Sequence, residues 1–125
     1  MAVARVLVVD DDPAVLRLLA TALTSRGYEV AVARGARQAL EAARSSLPAG
    51  PDLVISDVLM PEMSGVELMR EIARLCPSAA ALFISGNPGA MELPAGVAFL
   101  GKPFSLQTLA AKVRDLLGSS AEPSG

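Results

Sequence analysis

Five short apolar runs alternate with four stretches of helical periodicity, and this alternation leaves the chain few folds to choose from. The runs are VLVV (6–9), EVAVA (29–33), LVIS (53–56), ALFI (81–84) and VAFL (97–100). They are continuous rather than alternating apolar and polar, the pattern of parallel strands buried on both faces. Between and after them, apolar residues recur at helical spacing. One stripe is Val15, Leu18, Leu19, Ala22 and Leu23, closed by Gly27. A second is Ala36, Ala39, Leu40 and Ala43; a third is Val66, Met69, Ile72 and Ala73, stopped before Pro77. The last is Leu106, Leu109, Ala110, Val113 and Leu117, with Ser105 as the expected N-cap and Gly118 as its end. Strand–helix alternation of this kind predicts an α/β fold, a parallel sheet joined by right-handed crossovers.

One domain fits 125 residues, expected here to span 1–118, with SSAEPSG (119–125) as a disordered tail or linker stub. The chain is 52% hydrophobic but only 3% aromatic, so Ala, Val and Leu must build the core. No apolar run reaches the roughly 18 residues of a membrane helix, and the first residues do not read as a signal peptide. A net charge of -2 carries no basic footprint for direct nucleic-acid binding. With no His and one Cys, the usual zinc sites and His-based triads are excluded. Cys76 sits near the end of an apolar helical stripe and is expected to be a buried thiol. A reducing cytoplasm suits this composition.

In an open parallel sheet, functional groups gather at the carboxyl ends of the strands. After the first run come Asp10, Asp11 and Asp12; after the third, Asp57 and then VLMPEMSG (58–65); after the fourth, Ser85 and Gly86; after the fifth, Gly101, Lys102 and Pro103. Taken singly, each has an ordinary reading: an acidic triplet is a solvated turn, and a lone Ser or Lys is surface polarity. Together they converge at one sheet edge. Three adjacent carboxylates there call for a hard cation such as Mg2+ or Mn2+, which takes oxygen ligands and one or two protein carboxylates. Asp11 and Asp57 are the expected direct ligands, with Asp10 holding a ligated water. Asp12 just precedes Pro13, so it reads as a helix-start residue instead. Nine of the eleven basic residues are Arg. A Lys at position 102 therefore hints that a compact, mobile charge is needed there.

VLVVDDDP, DLVISDVLMPEMSG, FISG and FLGKPF, in this order, resemble the receiver domains of two-component response regulators, over about residues 3 to 117. The resemblance implies a doubly wound, five-stranded fold of flavodoxin-like strand order 2-1-3-4-5. It further implies Asp57 as phosphoacceptor, with Asp10 and Asp11 as the acidic pair that holds Mg2+ and Leu59 offering its backbone carbonyl to the metal. Ser85 matches the hydroxyl residue that bonds the phosphoryl group, Lys102 the lysine that pairs with it, and Phe99 the aromatic switch position. The 102–103 peptide bond is typically cis. The implied partner is a sensor histidine kinase or phosphotransfer domain, and the implied output is a change of protein partners. The resemblance also implies a signalling module that catalyses only its own phosphorylation and dephosphorylation and is not an enzyme in the usual sense.

Two departures stand out. Leu59 occupies a position where many members carry a polar side chain. The thirteen residues 86 to 98 also contain Pro88, Pro94, Gly86, Gly89 and Gly96. An average helix with its loops needs more room, so the family's helix between the fourth and fifth strands is expected to be missing or about one turn long. Three alternatives are weaker. An aspartyl phosphohydrolase usually places an acid two residues after the nucleophile, where Leu59 stands. A phosphorylation-independent scaffold does not need the complete Asp, Ser and Lys set. A flavin carrier wants aromatic stacking, and the chain has no Trp and only Tyr28. The chain is expected to be either a stand-alone receiver or part of a longer protein such as a hybrid kinase.

Overall fold

The computed structural model describes residues 3–46, 49–58, 60, 63–86 and 98–121. Its elements are β1 (Arg5–Val9), α1 (Pro13–Thr24), β2 (Glu29–Ala33), α2 (Ala36–Ser45), β3 (Leu53–Asp57), α3 (Gly65–Leu75), β4 (Ala80–Ser85), β5 (Ala98–Gly101) and α4 (Leu106–Ala121). The five strands form one parallel sheet in the order β2-β1-β3-β4-β5. Both the α/β class and the strand order agree with the expectation from sequence.

Alternate residues along each central strand feed two separate cores. Leu7, Val9, Val54 and Phe83 join Ala39 and Ala43 of α2 and Leu68 and Ile72 of α3. Val6, Val8, Leu53, Ile55, Leu82 and Ile84 join Leu16, Leu19 and Leu23 of α1 and Leu109 and Val113 of α4. Helices thus cover both faces, which explains why β1, β3 and β4 need continuous apolar runs.

Two details differ from the sequence reading. β2 is an edge strand with a neighbouring strand on one side only, and most of its residues are exposed despite the apolar run. In α1 the buried stripe is Leu16, Leu19 and Leu23, whereas Leu18 is exposed. The helix meets the sheet along an i, i+3, i+7 line, and Leu18 lies off it.

Capping follows the sequence closely. The Asp12 side chain accepts from the Ala14 amide, capping α1 just before Pro13. Ser105 Oγ accepts from the Thr108 amide at the start of α4. At the other end of α4, Gly118 has φ 71° and breaks the helical path, which resumes as far as Ala121. The expected short or missing helix falls on residues 87–97 and lies outside the described residues, as do residues 122–125 of the expected tail.

Candidate functional site

The strand order brings β1, β3, β4 and β5 side by side, so their carboxyl ends form one edge. Asp10 follows β1 directly, and its amide donates to the Ala33 carbonyl. Asp57 is the last residue of β3, in register with Ile84 of β4. Ser85 ends β4 opposite Gly101, and the Lys102 amide donates to the Ser85 carbonyl at 2.8 Å. That bond ties the lysine to the serine's strand. The Lys102–Pro103 peptide bond is cis, as the resemblance implied.

One carboxylate oxygen from each of Asp10, Asp11 and Asp57 lies within 4.8 Å of the other two. Asp10 is buried, Asp57 partly buried and Asp11 exposed. At such a separation, two unit charges repel by about 3 kcal/mol at an effective dielectric of about 20. Lys102 Nζ lies 3.4 Å from Asp57 Oδ2 and 3.8 Å from Asp10 Oδ2. Among the described residues, that is one ammonium against three carboxylates.

Asp10 shows the cost most clearly. Its Oδ1 accepts from the Asp12 amide at 2.9 Å. Its Oδ2 is buried and has no hydrogen-bond partner among the described residues. Burial raises the Asp10 pKa above its usual value; the Asp12 amide and Lys102 oppose the rise, while Asp57 and Asp11 add to it. A buried oxygen without a donor, aimed into a cluster of oxygens, fits a divalent cation.

All but one of the residues expected at the site from sequence lie among the described residues. Asp10, Asp11, Asp57 and Lys102 converge directly. Ser85 is buried at the neighbouring strand end, and Phe99 on β5 is 41% exposed. Leu59, assigned a backbone carbonyl for the metal, lies outside the described residues.

Two residues escaped the sequence reading. Ser56, fully buried beside Asp57, donates its hydroxyl to the Asp57 carbonyl at 2.9 Å. Gly65 opens α3, and its amide donates to the Val58 carbonyl at 2.8 Å. A Cβ at Gly65 would overlap the Asp57 carbonyl oxygen and come within 3.1 Å of Val58 Cα. A polar residue ending an apolar run, and a glycine at a helix start in place of a better helix former, were the available signals.

Comparison with known proteins agrees with this geometry. Residues 6–114 match the family model described as the response regulator receiver domain. The chain is 43% identical over 119 residues to the sensor kinase CckA of Brucella abortus (strain 2308), covering 91% of this chain and 12% of that protein. It is 32% identical to the transcriptional regulatory protein TrcR of Mycobacterium tuberculosis (strain ATCC 25618 / H37Rv), covering 94% of this chain and 46% of the regulator. The chain thus spans half or less of these curated relatives. Among solved structures, the receiver domain of a hybrid histidine kinase CckA superposes with a TM-score of 0.78 at 37% identity, covering 91% of this chain and 99% of that one. A CheY-like receiver domain protein from Methanospirillum hungatei JF-1 superposes with a TM-score of 0.83 at 29% identity, covering 99% of this chain and all of the other. Sheet order, the acidic edge and the matched span agree, and the chain belongs to the response regulator receiver domain family.

Proposed function

We propose that this chain is a phosphorylation-controlled switch of a two-component system, with Asp57 as the acceptor and a histidine kinase or phosphotransfer domain as the donor. The observation that carries the reading is the juxtaposition, among the described residues, of three carboxylates within 4.8 Å, one with a buried oxygen that no donor meets, beside Lys102. Asp10, Asp11 and Asp57 would hold Mg2+ or Mn2+, with Leu59 as the remaining protein ligand through its carbonyl. The bound ion supplies positive charge that offsets repulsion between the carboxylates and an incoming phosphoryl group.

The chain's own residues do the rest. A carboxylate oxygen of Asp57 attacks the phosphorus of a phosphohistidine. The new P–O bond forms as the P–N bond breaks, and the released imidazole nitrogen keeps the electron pair and takes a proton from solvent. Lys102, already 3.4 Å from Asp57, pairs with the phosphoryl oxygens as their charge develops. Ser85 bonds the phosphoryl group once it is in place, and the space it leaves admits Phe99, now 41% exposed. Two states differing by one local charge would then present different surfaces to partners.

Incubation with acetyl phosphate and Mg2+ tests this reading by intact mass. One phosphoryl group should be gained, lost in base or hydroxylamine, and absent in Asp57→Asn. Full labelling of that variant would sink the assignment.

A further inference from the structure

We infer that Ser56 and Gly65 are positioning residues that clamp the main chain of Asp57 and so aim its carboxylate. This deepens the proposed function and rests on Asp57 being the acceptor.

The clamp has two jaws on one atom. Within the strand, the buried Ser56 hydroxyl donates to the Asp57 carbonyl oxygen at 2.9 Å. From outside, α3 closes on the same oxygen, and only the absence of a side chain at Gly65 leaves room for it. The Gly65 amide fixes the approach by donating to the next carbonyl, that of Val58, at 2.8 Å. The start of α3 is itself secured, because Ser64 Oγ accepts from the Glu67 amide at 3.1 Å. The Asp57–Val58 peptide is thereby held by β3 on one side and by α3 on the other. The Val58 amide of that peptide donates to the Ile84 carbonyl of β4 at 3.0 Å, so the sheet fixes its N–H while Ser56 and α3 bear on its carbonyl oxygen. Misplacement of a reacting group by about 1 Å can cost about 100-fold in rate. A methyl group forced against the Asp57 carbonyl demands a shift of that order.

Gly50 provides the control. It is far from the acidic edge in the fold, lies at φ +66°, and a Cβ there would sit 2.9 Å from Cys76 Sγ. Gly50→Ala is therefore a strained substitution, against a side chain rather than backbone, that does not touch Asp57.

The test compares the parent with Ser56→Ala, Gly65→Ala and Gly50→Ala, each at a temperature where circular dichroism shows it folded. Initial rates of labelling are measured against acetyl phosphate concentration at saturating Mg2+. The limiting rate should fall about tenfold or more in Gly65→Ala and several-fold in Ser56→Ala. The half-saturating donor concentration should stay within twofold of the parent's. Gly50→Ala should lose thermal stability and keep the parent's limiting rate. A purely structural role predicts instead that all three variants lose stability and keep the rate. Ser56→Ala adds no volume and decides the matter even where Gly65→Ala does not fold: a parental limiting rate in Ser56→Ala overturns the clamp. A parent that takes no label overturns the proposed function and this inference together, whereas a labelled parent with unaltered Ser56→Ala and Gly65→Ala rates overturns this inference alone.

Discussion

Asp10 holds a buried carboxylate, one oxygen of which has no donor among the described residues, and burial above all raises its pKa over the usual carboxylate value. Between its unfolded and folded pKa values the folded state holds the extra proton. Stability therefore falls as pH rises through that window and stays lowered above it. In metal-free buffer, Asp10→Asn should melt higher than the parent at pH 7, and the difference should shrink below about pH 4. Thermal melts at the two pH values check this, and an equal gain at both would show that charge is not the cause. Leu59 carries a second prediction. Its side chain cannot orient an attacking water, so Leu59→Asn should shorten the lifetime of the acyl phosphate. An unchanged decay rate would remove that role from the position. At this scale the sequence was informative where chemistry sits in contiguous letters: DDDP, the D before VLMP, and KP. It was silent on Ser56 and Gly65. Both meet the Asp57 carbonyl in space across the β3–α3 connection, which a polar strand end and a helix-start glycine mark without specifying.

At the scale of elements, the central strands were legible because burial on both faces forces continuous apolar runs. β2 has such a run too, yet it lies at an edge; composition alone does not say which strand has a neighbour on only one side. The register of α1 was likewise ambiguous, since Val15, Leu16, Leu18 and Leu19 permit two adjacent stripes. The structure selects the one that includes Leu16. The caps were unambiguous, and their energetics are testable: Ser105→Ala should lower stability by about 1 kcal/mol while leaving the labelling rate untouched. Chemical denaturation reads the first and intact mass the second. The interval between β4 and β5 carries the remaining element-scale prediction. Backbone chemical shifts should show at most about one helical turn between residues 86 and 98, and two or more ordered turns would contradict it. A face so shortened should also fail to form a tight dimer when beryllofluoride mimics the phosphoryl group.

The whole molecule couples its stability to its acidic edge. An ion that binds only the folded state stabilises it by mass action, about 2.7 kcal/mol at a hundred times its dissociation constant. Mg2+ should therefore raise the melting temperature by several degrees. Asp11→Ala should lose that rise, whereas Asp12→Ala should keep most of it, because Asp12 spends its side chain on the α1 cap. Equal losses would mean that the acidic triplet is misassigned. The central claim, that the fold aims Asp57 at a phosphoryl donor, has a more direct test. Borohydride reduces an aspartyl phosphate to homoserine, so treating the labelled parent and sequencing its peptides by mass spectrometry locates the acceptor. The expected result is homoserine at position 57 and nowhere else. Homoserine at position 10 or 11, or a labelled protein that yields none, would contradict the account.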